Sequence, residues 1–274
     1  MSIINGYATL AEVKSNKQIT STDAADDTFI EALIENTSRL IDEMTGRWFY
    51  PRIQTRLHDV PGGYELRLDA DLLEATTVTN GDTVVVTSAQ YTTSPLNDTP
   101  YWAIRLKPSA SISWTSSVDG DYVGALSIAG VWGYHTNYAL AWRLATTLGA
   151  AIATTTATTF TATSGTPFSG GQIIKIDSEY MLVVSVSTNT VTVERGWNGS
   201  TAATHLINAN VYVWRWQGEI NRACRDIVLS AYNNRYGSNP TGQVTLTGAG
   251  VVVTPDDVPA TTRLVLETIM RKGW

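Results

Sequence analysis

The feature that most constrains this chain is a switch in hydrophobic period at Gly46. Before it, Phe29, Ile30, Leu33, Ile34, Leu40, Ile41 and Met44 recur at three- and four-residue spacing, while Glu31, Glu35, Arg39, Asp42 and Glu43 fall mostly elsewhere. That pattern predicts an amphipathic helix of roughly 20 residues, about 30 Å long. Asp23, Asp26 and Asp27 supply N-terminal caps and negative charge at the positive end of the helix dipole, and Gly46 is placed to end the helix in a left-handed turn. Thr9 and Glu12 have the spacing of a capping box, so residues 9–16 read as a short preceding helix with Leu10 and Val13 turned inward.

From Arg47 onward the pattern is extended. An aromatic knot, Trp48-Phe49-Tyr50-Pro51, precedes expected strands at 54–59, 64–68, 83–86, 102–106 and 125–131, punctuated by Pro61-Gly62-Gly63, Asn80-Gly81-Asp82 and Asp119-Gly120-Asp121. Residues 135–150 read as a loop passing into a strand. Between Thr154 and Thr163 seven of ten positions are Thr, a β-branched run that suits an extended chain. Further strands are expected at 172–176, 180–186, 190–195 and 209–214, with Ser187-Thr188-Asn189 as a hairpin turn.

Helical spacing returns after Trp216, where Ile220, Ala223, Cys224, Ile227, Val228, Ala231 and Tyr232 form one face and Gly237 closes it. Thr254, Pro255 and Asp257 mark the start of a last helix carrying Leu264, Leu266, Ile269 and Met270. The expected fold class is therefore α+β. A helical bundle forms from residues 1–50 and 216–274, a small β-domain covers 51–134, a linker covers 135–153, and an inserted β-barrel or sandwich-like module covers 154–215.

Charge and chemistry narrow the function classes. Net charge is −6, with six Lys/Arg against nine Asp/Glu in residues 1–60, seven against eleven in 61–215, and six against five in 216–274. No basic stripe is present, which disfavours tight DNA binding. The single cysteine, Cys224, permits neither an intrachain disulfide nor a Cys-based zinc site, and it reads as an inert thiol on an apolar helix face. No signal-like N-terminus and no apolar run of membrane length occurs, which points to folding in a reducing cytoplasm.

The chain has no Walker loop, dinucleotide-binding glycine pattern, HExxH or GxSxG elbow. His58, His135 and His205 stand apart from one another and read as surface or turn residues. Asp69 with Asp71, and Asp119 with Asp121, lack the further oxygen ligands of a cation site. No enzyme activity, cofactor or metal is expected. Nine Trp and twelve Tyr furnish core and junction packing, and Trp274 is the aromatic best placed for an intermolecular contact.

The stretch TLAEVKSNKQITSTDAADDTFIEALIENTSRLIDEMTGRWFYPRIQTRLHD resembles the head-to-tail connector (adaptor) family of tailed phages. In that family a short helix, an acidic loop and a long helix ending in a TGR-aromatic-P sequence lead into the first strand. Here those residues are Thr45, Gly46, Arg47, Phe49, Tyr50, Pro51 and Arg52. The likeness continues through DLLEATTVTNGD, the Tyr91–Asn97 stretch and IAGVWGYH. GGQIIKIDSEYMLVVSV with TVTVERGWNGSTAATH resembles the extra β-module of longer connectors. It does not extend to residues 135–150 or beyond Tyr236.

The resemblance implies a structural subunit of the virion neck, assembled in the bacterial cytoplasm. Such proteins form homo-oligomeric rings, commonly twelve-fold, between the portal and a tail-side stopper or tail-completion protein, and DNA passes through the lumen during packaging and ejection without tight binding. Within that frame Met270, Arg271, Lys272 and Trp274, a basic and aromatic end on a tether, are expected to bind the portal. Glu31, Glu35, Arg39 and Arg225, on outer helix faces, are expected to make subunit contacts. The alternative from another class is a carbohydrate- or receptor-binding baseplate or fibre component, which would show an exposed aromatic platform on the 154–215 unit.

Overall fold

The computed structural model describes residues 3–15, 24–236, 245–246, 252–253 and 258–271. The capping box forms: Glu12 N–H donates to Thr9 Oγ1 at 3.2 Å and Thr9 N–H donates to Glu12 Oε2 at 2.8 Å, starting α1 (Leu10–Lys14). Helix α2 (Asp27–Thr45) buries Ile30, Ile34 and Ile41, and Gly46 ends it in the left-handed region at φ 64°, its N–H on Asp42 O. Its cap differs from expectation. Asp26 stands at the N-cap but makes no capping bond, because its carboxylate accepts the Tyr232 hydroxyl at 2.9 Å instead; Asp23 lies outside the described residues.

Strands β1 (Arg52–His58), β2 (Glu65–Thr79), β3 (Val85–Val86), β4 (Tyr91–Ser94), β5 (Tyr101–Leu106) and β6 (Leu126–Trp132) form one antiparallel sheet in the order β1-β6-β2-β5-β4, with β3 on the end of β2. β2 serves two neighbours in turn. Its first half pairs with β5 and its second half with β6, with register shifts on either side of Leu72. This bend folds the sheet over a core of Leu66, Leu68, Ile104, Leu126, Ile128 and Trp132. Trp132 is fully buried with its indole N–H on Gln54 O at 3.0 Å, so its bulk enters the core without an orphaned donor.

The second sheet contains β7 (Trp142–Thr147), β8 (Thr159–Thr161), β9 (Ile173–Ile176), β10 (Glu179–Ser187), β11 (Thr190–Glu194) and β12 (Asn210–Trp214), ordered β7-β12-β9-β10-β11-β8. A bridge between Leu148 and Ala162 joins the two edges, with Thr163 N–H donating to Thr147 O at 2.9 Å. The sheet thus closes on itself as a small barrel filled by alternating residues such as Ile174, Ile176, Met181, Val183, Val191 and Val213. The expected linker at 135–153 is corrected here, since Trp142–Thr147 is a barrel strand paired with β12. Its partner lies more than sixty residues later, so the reading of 135–150 as a loop passing into a strand could not show that this strand joins the barrel.

Helix α3 (Gly218–Tyr236), the antiparallel pair β13 (Thr245–Leu246) and β14 (Val252–Val253), and α4 (Ala260–Ile269) are the last elements among the described residues. Gly237, Thr254, Pro255 and Asp257, read as helix boundaries, lie outside the described residues; α4 follows Pro259. The expected α+β class with a helical-bundle core is overturned. Among the described residues the protein is mostly β, two six-stranded antiparallel sheets accompanied by four helices. The helical faces do not close on one another alone. Ile34, Ile41, Ile227 and Leu266 share a single core with Leu73 and Val131 of the first sheet and Ile173, Tyr180 and Trp214 of the barrel. Periodicity reveals that a helix has a buried face, not what buries it.

Candidate functional site

The segment Thr45–Arg52 is where α2, the bent sheet, the barrel and the end of α4 meet. Once Gly46 has turned the chain, the Arg47 guanidinium donates to both oxygens of Asp71 on β2 at 2.7 Å, donates through Nε to Ile269 O of α4 at 2.7 Å, and lies 4.3 Å from the Tyr134 ring centroid. Burial raises the Asp71 carboxyl above its ordinary range despite Arg47 and Arg271 beside it. Two residues on, Phe49 N–H donates to Tyr7 Oη at 3.1 Å and Phe49 O accepts the Trp214 indole N–H of the barrel at 3.0 Å. Helices, bent sheet and barrel are thereby tied to one short stretch.

Arg271 belongs to the same junction. Its backbone N–H donates to Thr45 O at 2.7 Å, its Nη2 to Leu68 O at 2.7 Å, and its Nη1 to Asp69 O. It anchors the end of α4 on β2. Met270 beside it is exposed, and Lys272 and Trp274 lie outside the described residues.

The four residues assigned to subunit contacts do not share one outward face. Glu31 and Glu35 are half-buried along α2. Arg39 turns inward, donating to Asn5 O at 2.8 Å and Tyr50 Oη at 3.3 Å, pairing with Asp42 at 3.3 Å, and stacking over the Tyr50 ring. Arg225 lies apart in a groove between α1 and α3 with Glu12, Arg222 and Leu229, and its buried Nε has no hydrogen-bond partner among the described residues.

Sequence reasoning missed the densest polar cluster. Glu179, at the start of β10, is fully buried; Arg195 donates to it through Nε and Nη2, both at 2.7 Å, Gly196 N–H at 3.1 Å and Ala203 N–H at 2.9 Å. The two ring nitrogens of His205 lie 2.8 Å from Glu179 Oε2 and 2.7 Å from Asp177 Oδ2. Burial pushes the Glu179 carboxyl up, but these donors outweigh it and bring it down to about 2. The cluster clasps the 195–205 loop, whose Trp197 and Asn198 reach Asn5 at 2.9 and 3.0 Å and whose Gly199 abuts β1.

All three histidines are buried, a correction to their reading as surface or turn residues. His58 stacks on Trp132 and His135 meets Trp214 edge-on; burial lowers both below the usual histidine value. The signal that links His205 to Glu179 and Arg195 is spatial, because the three residues belong to different segments of the barrel.

The sequence matches no protein-family model and no curated protein. Among the described residues no group of three or more His, Cys, Asp or Glu side chains is arranged to hold a metal ion, and no helix is long and apolar enough to cross a membrane. On the outside of the barrel Lys175 Nζ sits 4.9 Å from the Trp142 ring centroid and 5.7 Å from that of Tyr212.

Proposed function

We propose that this chain is a structural head-to-tail connector subunit of a tailed phage, one copy in a ring that joins portal to tail and lets DNA pass. The observation that carries the reading is the convergence on Thr45–Arg52. The residues on which the family resemblance rests are those that lock α2, β2, the barrel and α4 together through Arg47, Phe49 and the Thr45 carbonyl. A ring subunit that transmits load between capsid and tail needs such a rigid joint. Among the described residues, the buried Asp71, Glu179 and His205, with the Arg195 side chain, are engaged in ion pairs within the fold. A net charge of −6 also suits a conduit that must not hold its cargo.

The test is particle size by negative-stain imaging and light scattering, with the purified protein alone and mixed with portal. Rings that form on the portal are the expected result. A protein that remains monomeric with portal and binds a glycan instead overturns the reading.

A further inference from the structure

Two surfaces of opposite character lie at separate places on the molecule. The first is the end of the bent sheet built from residues 57–64, 80–86 and 112–124. These segments are held together by Val60 N–H on Tyr122 O at 2.9 Å, Gly124 N–H on Asp59 Oδ1 at 2.8 Å and Asn80 Nδ2 on Ser113 O at 2.9 Å. Val118 is 81% exposed and Val123 80%, and Leu57 and Tyr122 are exposed beside them. The three segments contain Asp59, Asp82, Asp119 and Asp121, all exposed, and no Lys or Arg. The arginines on adjoining strands are engaged, Arg56 by Asp69 and both Arg67 and Arg105 by Glu65. This end is apolar and acidic.

The second surface lies where the barrel meets α3. Leu140 is 64% exposed and lines a hollow with Arg215 and Trp216, whose indole N–H has no partner among the described residues. Arg143 projects on the same side of the β7–β12 ladder as Arg215, since Arg143 pairs with Val213 and Arg215 N–H bonds Ala141 O. Neither arginine has an ionic partner among the described residues; Glu219 is the carboxylate that shares the hollow. This surface is apolar and basic.

The two surfaces cannot meet within one chain. β6 runs from Leu126 at the acidic end to Trp132 at the junction that leads to Leu140, about 20 Å at the rise of an extended strand. Nor does the acidic end fit a second acidic end, because like charges would face each other around the apolar tips. We infer that the acidic, apolar end of one copy seats on the Leu140–Arg143–Arg215–Trp216 surface of the next copy. Such a contact is heterologous, head to tail, and repeats into a closed ring when the rotation between copies closes. The inference rests on the ring reading above and assigns that ring its contact. It also moves the contact away from α2.

The experiment uses the full chain in two charge-reversed forms, D119K/D121K and R143E/R215E, followed by sedimentation velocity over rising concentration at low salt, alone and on portal. Each variant alone presents like charges at every contact, so association is expected to weaken at least tenfold. Mixing the two restores opposite charges at each contact and is expected to restore association. Unchanged assembly of either variant, or no recovery on mixing, overturns the contact while leaving the ring intact. Wild-type protein that never associates, alone or with portal, overturns ring and contact together. V118S/V123S probes the same end without changing charge. Should a reversed pair fail to fold, normal assembly of V118S/V123S overturns the contact, and loss of assembly by V118S/V123S at an unchanged melting temperature supports it.

Discussion

Arg195 and Glu179 form a two-point ion pair with both N–O distances at 2.7 Å, in a place where the carboxylate has no solvent contact. A buried charge keeps its partner or destabilises the fold. Arg195 also donates to the carbonyls of Thr154, Ala157 and Ala203, so one side chain ties the entry of the barrel to the 195–205 loop. Arg195→Ala is expected to cost about 3–5 kcal/mol, the range for removing one member of a buried pair. Glu179→Gln puts an amide donor against the Arg195 guanidinium and the Gly196 and Ala203 N–H groups, which all donate, and is expected to destabilise as well. Urea denaturation followed by tryptophan fluorescence measures both, and a loss under 1 kcal/mol for Arg195→Ala refutes the role given to the pair.

The pH dependence of stability has two limbs of opposite sign. Burial pushes the Asp42 carboxyl up to about 6, against the lowering influence of the Tyr7 hydroxyl and Arg39. An aspartate whose folded value lies above its unfolded value binds its proton more tightly when folded, so the folded state gains stability as pH falls from about 7 to about 4. Glu179, brought down to about 2, behaves oppositely: its contribution is complete above about 4.5 and lost as pH falls toward 2. Asp42→Asn is expected to remove the first limb, about 1–3 kcal/mol between pH 7 and 4. A wild-type-minus-variant difference that stays constant over that range contradicts the assignment.

Gly199 sits at φ +85° with β1 directly against it, and a Cβ there would lie 2.0 Å from Ile53 O. Gly199→Ala is expected to lower stability by about 1–3 kcal/mol through backbone strain and separation of the loop from β1. Gly62 has open space around it, and Gly62→Ala is expected to stay within about 0.5 kcal/mol of wild type. Equal melting temperatures for the two variants would show that the loop is not seated on β1.

At the C-terminus, the anchoring role of Arg271 can be tested apart from the proposed portal contact. Arg271→Ala removes the bonds to Leu68 and Asp69 carbonyls and is expected to lower stability by about 1 kcal/mol or more. The double variant Lys272→Ala/Trp274→Ala is expected to keep its melting temperature and lose attachment to portal in a pull-down. Attachment at wild-type strength rules out the tail as the portal contact.

Much of the local structure was legible because its causes are local. The Thr9–Glu12 capping box, the apolar face of α2, the left-handed stop at Gly46 and most strands of both sheets follow from spacing and turn chemistry within a few residues. Cys224 was readable as a buried thiol, and burial pushes it up to about 12. Arg39 was not readable in the same way. Its position on α2 gives no sign that Tyr50 and Asn5, from other segments, turn it inward.

The sequence by itself determined most of the helical and extended segments and the apolar faces of α2 and α3, since period and capping are properties of neighbouring residues. The tertiary structure decided that the helices share a core with strands of both sheets, that Trp142–Thr147 pairs with β12 to close a barrel, and that His205 lies between Glu179 and Asp177. It also set the acidic end of the bent sheet apart from the basic surface at Leu140 and Arg215. Each of these depends on contacts between residues far apart in the chain, which become neighbours only when hydrophobic burial folds the whole molecule.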